Sequence, residues 1–150
     1  MNDRTQPDPL VAGDPLTWTP EPDLLAVLTD TSSPGVARRA LRTLLGTRAA
    51  SPFGERVLLA SSELMNNALM HTSGECFLSA WFPAPHACVR VEVVDASPAW
   101  PPTRSTPPTV GGRGLTIVDS VVDRWGFVGR PPGKVVWFEI DDADAAGHDA

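Results

Sequence analysis

Two hydrophobic periods share this chain, and the switches between them outline its elements. Leu24 to Thr29 is a short apolar run that fits a first strand. Asp30, Thr31, Ser32 and Ser33 then offer N-cap oxygens, and Pro34 suits a first helical turn. Val36 to Thr47 reads as a helix, with Val36, Ala40 and Leu44 on one face and Arg38, Arg39 and Arg42 mostly off it. Gly46 marks its end. A longer helix opens at Ser51 or Pro52 and runs to about His71, where Thr72-Ser73-Gly74 stops it. At about 100° per residue, Val57, Ala60, Ser61, Leu64 and Ala68 fall on one side. Glu63, Asn67 and His71 form a polar stripe along the border of that face.

The period then changes to two. Glu75 to Phe82 and Cys88 to Asp95 read as strands of a hairpin turning at about residues 83 to 86. Val89, Val91 and Val93 point one way, Arg90 and Glu92 the other, and Asp95 shares the parity of the valines. In that register Cys76 faces territory near Val93 and Cys88 lies near Trp81, so the two thiols are not partners. Ala99 to Val110 holds four prolines and reads as a lid. Gly114 starts a third helix with apolar positions Leu115, Val118, Val121, Val122 and Trp125, ending at Trp125-Gly126. Phe127 to Gly129 and Val135 to Ile140 form a last hairpin turning at residues 130 to 133. The order predicts an α+β two-layer sandwich: a mostly antiparallel mixed sheet covered on one face by three helices. Residues 1–22 are expected to be a flexible Pro-rich arm, in which Trp18 is suited to docking, and residues 141–150 an acidic disordered tail.

Composition narrows the function. One domain is expected from 150 residues, and the net charge of −6 argues against broad nucleic-acid or anionic-membrane binding. Arg38, Arg39, Arg42 and Arg48 read as a solvated helix face rather than a basic patch. The two cysteines sit in no metal motif and are expected to be free thiols of a reducing cytoplasm. No apolar run has the length of a signal h-region or a membrane span.

The chemistry-bearing residues fall in three segments. Glu63 and Asn67 lie one turn apart beside an apolar helix face. Asp95 ends a strand on its core side, where an unpaired carboxylate is costly. Gly111-Gly112-Arg113-Gly114-Leu115 opens a helix. It lacks the Gly-Lys-Ser/Thr of a Walker motif and the third glycine of a dinucleotide fingerprint. What remains is a glycine turn feeding a helix N-terminus, whose free N–H groups suit phosphate, with Arg113 as a cationic fork.

In this order and spacing, over roughly residues 24 to 140, the chain resembles the GHKL (Bergerat-fold) ATPases. The nearest branch is the anti-sigma-factor serine kinases of bacterial partner switching. The resemblance implies ATP and Mg²⁺ as cofactors of residues 23–140. Its Glu-x-x-x-Asn motif is matched by Glu63, as general base, and Asn67, as magnesium ligand. Its Asp-x-Gly motif is matched at Asp95, the acceptor for the adenine amino group. Ser97, followed by Pro98, stands at the Gly position and adds a Cβ to the site. Its Gly-x-Gly-Leu motif is matched by Gly112, Gly114 and Leu115, with Arg113 between. Many members carry a Thr near adenine in the last strand; here the chain reads Lys134-Val135-Val136, and Lys134 is expected to face solvent. His71 is expected to serve at the helix end and not in catalysis.

Two functions follow. One is a cytoplasmic anti-sigma factor with serine/threonine kinase activity, with a sigma factor and an anti-sigma factor antagonist as partners and room for a homodimer. The other is a non-catalytic nucleotide-binding or protein-docking module of the same fold. A histidine-kinase fragment lacks its phosphoacceptor hairpin here, and DNA binding lacks charge and motif.

Overall fold

The computed structural model describes residues 21–71, 75–82, 88–96, 113–130 and 133–142. The arm up to residue 20, Ser97, the lid, Gly112 and the tail from residue 143 lie outside the described residues.

In chain order the elements are β1 (Leu24–Leu28), α1 (Ser33–Leu45), a 3-10 turn (Gly46–Ala50), α2 (Pro52–His71), β2 (Cys76–Trp81), β3 (Cys88–Asp95), α3 (Arg113–Val121), β4 (Arg124–Arg130) and β5 (Gly133–Asp141). The five strands form one sheet in the order β1-β2-β3-β5-β4. All four pairings are antiparallel, so the expected mixed character is absent among the described residues. The expected sandwich is otherwise the observed one, with the three helices on one face of the sheet.

Strand parity decides what meets the helices. Ala26, Leu78, Val93 and Val136 line up across four strands, as do Ala80, Val91, Phe138 and Trp125. These side chains and the apolar faces of the helices make a single buried core. In α2 the expected face is the buried one: Val57, Ala60, Ser61, Leu64 and Ala68 are all inside. The start of α2 is capped by Ser51, whose Oγ accepts the Gly54 N–H at 3.1 Å.

Four expectations need correction. The buried stripe of α1 is Pro34, Ala37, Leu41 and Leu45, while Val36 is 65% and Leu44 40% exposed. Both stripes are apolar, and the sheet contact selects between them. The third helix stops at Val121 and not at Trp125. Trp125 lies in β4, opposite Phe138, and donates its indole N–H to Asp119 at 2.8 Å. It faces the same core from a strand, so helical spacing continued through it by coincidence. Val93 sits opposite Leu78, two residues from the expected Cys76. Arg48 is not merely solvated: it pairs at 2.8 Å with Asp142, which is 3% exposed. Ordered structure thus continues past Ile140.

The other sheet face carries a charge cluster. Arg90 donates to Glu92 at 2.8 Å and to Glu139 at 3.0 Å, and its guanidinium lies 4.5 Å from the Trp137 ring centre. Arg124 extends the chain of pairs to Glu139 and Asp141. Mutual pairing is what makes burial of Arg90 and Glu92 tolerable.

Candidate functional site

Connectivity brings the three motif segments to one end of the helix–sheet interface. Arg56, near the start of α2, donates through Nε to the Val121 carbonyl at 2.7 Å and pairs with Asp123 at 3.2 Å. The end of α3 is therefore level with the start of α2. With α3 packed along α2, its first turn, holding Arg113 and Gly114, runs toward the half of α2 that carries Glu63 and Asn67. The nine residues of α3 span roughly 13 Å, about the rise from Arg56 to Met65 on α2. From His71 the chain re-enters the sheet at Cys76, and Phe77 pairs with Val94. The end of β3, with Asp95, thus lies beside the end of α2.

Asn67 is 6% exposed, and its Oδ1 has no hydrogen-bond partner. A buried amide oxygen in that state carries its full desolvation cost and is an acceptor in waiting. Glu63, one turn earlier, is half-buried at the border of the core. Leu115 is 4% exposed and anchors the first turn of α3 in the core. Ser97 and Gly112 lie outside the described residues.

Asp95 is buried, as its parity predicts, but it is not alone. Lys134 lies opposite it in the β3–β5 register, and its Nζ stands 3.1 Å from each carboxylate oxygen. The side chains of Lys134 and Asp95 are 5% and 2% exposed. The expectation that Lys134 faces solvent is therefore overturned. Parity held the missing signal: Lys134 is in step with Val136 and Phe138, both on the helix-facing side. Close strand approach reinforces the pairing, since a Cβ on Gly133 would fall 1.8 Å from the Asp95 carbonyl oxygen. Cys76 borders the pair. Burial pushes its thiol up to about 11, Asp95 adds to the rise and Lys134 opposes it.

The donor set suits a magnesium nucleotide. Magnesium takes few protein oxygens and keeps several waters, so the orphaned Asn67 oxygen fits one coordination position. Among the described residues no group of three or more His, Cys, Asp or Glu side chains is arranged as a metal cage. Nor is any described helix long and apolar enough to cross a membrane.

This arrangement is an α+β two-layer sandwich, five antiparallel strands with three helices on one face. No protein-family model and no curated protein matches the chain by sequence. In structure it is similar to the RsbU and RsbW domains of Rv1364c from Mycobacterium tuberculosis. That match has a TM-score of 0.56 at 18% identity and covers 80% of this chain and 33% of that one. A second similar structure, the catalytic domain of the histidine kinase ThkA, gives a TM-score of 0.46 at 16% identity over 79% of this chain and 96% of that one. The chain thus spans about a third of the length of the Rv1364c structure. At 18% identity the likeness to the Rv1364c structure shows the fold alone.

Proposed function

We propose that the chain is an ATP-binding regulatory protein: an anti-sigma factor that phosphorylates a serine or threonine of its antagonist. The observation that supports this reading is the buried amide oxygen of Asn67, which has no hydrogen-bond partner, on the helix that leads into the strand paired with the one ending at the buried Asp95. In this reading the partners are a sigma factor and an anti-sigma factor antagonist and the protein acts in the cytoplasm; the fold likeness to a structure of RsbU and RsbW domains supports that choice.

In this reading Asp95 accepts the adenine amino group. Asn67 holds magnesium, which when bound neutralises phosphate charge. The amides of Gly112, Gly114 and Leu115, with Arg113 and Ser97 nearby, line the nucleotide. Glu63 takes the proton of the attacking hydroxyl as its oxygen bonds to the γ-phosphorus and ADP leaves with the bridging oxygen. Rate acceleration here is mostly positioning and charge stabilisation.

A second reading has its own support. Lys134 engages both oxygens of Asp95, which favours a docking module that binds nucleotide weakly without transferring phosphate. Phosphotransfer from labelled ATP to a candidate antagonist separates the two. Label on the partner, lost in Glu63→Ala, is the kinase result. Nucleotide binding by calorimetry with no transfer is the module result. No heat with ATP and Mg²⁺ removes the kinase reading.

A further inference from the structure

The sheet face turned away from the helices is open at one side and closed at the other. Leu25, Val27 and Phe77 share that face by register, and they are 62%, 50% and 37% exposed. Trp81, Arg90, Glu92 and Trp137 share it too, yet none of them is more than 6% exposed. Neighbours within the sheet do not account for this. Arg90 lies over the Trp137 ring at 4.5 Å and so covers it, but Arg90 is itself 3% exposed. A guanidinium stacked on the outside of a sheet is shielded only by a further layer, and none of the described helices is on that side. The closed part also holds two buried donors, the indole N–H groups of Trp81 and Trp137, and neither has an acceptor among the described residues. Such donors carry their desolvation cost, so the layer that suits them is one that offers carbonyls.

We infer that the chain's own N-terminal segment, residues 1–20, is that layer, laid in extended form over Trp81, Arg90, Glu92 and Trp137. The point of departure fits. Asp23 donates its N–H to the Ala80 carbonyl at 2.8 Å and accepts the Phe82 N–H at 2.7 Å, so the chain before it leaves the sheet edge beside Trp81. From β1 to β5 is three strand spacings, roughly 14 Å, which about five extended residues cross. Other segments set off from the wrong side. Asp142 turns to Arg48, beside the helices, and the stretch after Ala96 joins the core side of β3 to α3. Residues 83–87 close the β2–β3 hairpin, and Trp137 lies four ladder positions from its Cys88 end, about 13 Å. The chemistry fits as well. Four prolines in residues 1–20 remove backbone donors and favour the extended conformer, whose rings and free carbonyls suit tryptophan faces and indole N–H groups. Leu16 and Trp18 fall on one side of such a segment and supply apolar contact. The face is thus occupied in cis, and a protein that docks there has to displace the arm. This holds whether or not the chain binds nucleotide.

The test is nuclear Overhauser spectroscopy on the isotope-labelled full chain, joined to hydrogen exchange at the indole N–H groups. Contacts are expected from residues 1–20 to the rings of Trp81 and Trp137. They should be absent from filtered spectra of a labelled and unlabelled mixture, which report only contacts between molecules. The double variant Leu16→Ser, Trp18→Ser is expected to speed indole exchange at Trp81 and Trp137 by ~10-fold or more, the size of one buried aromatic side chain. Trp125, whose indole is held by Asp119 on the other face, should stay within about twofold. If the ring contacts come from another segment, only from a second molecule, or from none, the inference fails. Unchanged exchange at Trp81 and Trp137 in the double variant also overturns it. Should that variant not fold, the contacts in the wild type decide.

Discussion

Replacing Arg90 by Met takes a buried cation out of the outer sheet face while keeping most of the aliphatic stem. The side chains of Arg90 and Glu92 are 4% and 3% exposed, so water cannot take over when the 2.8 Å contact is lost. Removing one partner of such a pair costs about 3–5 kcal/mol. Loss of the stack on Trp137, at 4.5 Å, pushes the value toward the upper end. That is a large share of the ~5–15 kcal/mol that holds a domain folded. With a urea slope of about 2 kcal/mol per molar, the denaturation midpoint should fall by roughly 2 M. Arg124→Met is the internal control. Its contacts are as short, 2.7 Å to Glu139 and 2.6 Å to Asp141, but its side chain is 47% exposed. Exposed pairs contribute about 0–1 kcal/mol, so its midpoint should hardly move. Urea unfolding followed by tryptophan fluorescence measures both. If Arg90→Met costs no more than Arg124→Met, burial is not what gives the cluster its weight, and the reasoning fails.

Asn67→Leu should raise stability by about 1 kcal/mol, because it removes an unsatisfied buried oxygen, and should abolish Mg²⁺-dependent nucleotide binding; a thermal melt beside a titration reads the opposite signs. Gly54→Ala should destabilise by about 1–3 kcal/mol, since the new Cβ would stand 2.1 Å from the Arg48 carbonyl oxygen; an unchanged melt would contradict that close approach. Burial first, then Asp95, pushes the Cys76 thiol up to about 11, and burial with Glu139 and Asp141 does the same for Cys88. At pH 8 the native thiols should therefore resist iodoacetamide that labels the unfolded chain. The sign for stability follows. Folded values above the ordinary 9.0 mean that the unfolded chain loses its protons first. Stability is whole below pH 9 and declines as pH rises toward 11, and Cys76→Ala should flatten that decline.

Much of the fold was written in local pattern. The α2 face was legible because five small or apolar residues recur at helical spacing beside Glu63 and Asn67. β3 was legible because three valines alternate with Arg90 and Glu92. α1 was legible as a helix but not in its rotation. Val36, Ala40 and Leu44 form as good a stripe as Ala37, Leu41 and Leu45, and nothing local ranks them. Trp125 misled because a residue facing the core from a strand can extend the spacing of the helix before it. Of the candidate site, parity alone puts Asp95 on the core side, whereas the ordinary preference of its type sends Lys134 to solvent, and the structure buries both.

By itself the sequence determined the elements, their order and the succession of Glu63–Asn67, Asp95 and Gly112–Leu115. All of these depend on residues within a few turns of one another. Tertiary structure alone decided that β5 lies between β3 and β4. That one placement sets Lys134 against Asp95 and Glu139 beside Arg90. Such pairs join residues about forty to fifty positions apart. Their burial is tolerable only because each charge meets its opposite, and no local period encodes which strands become neighbours.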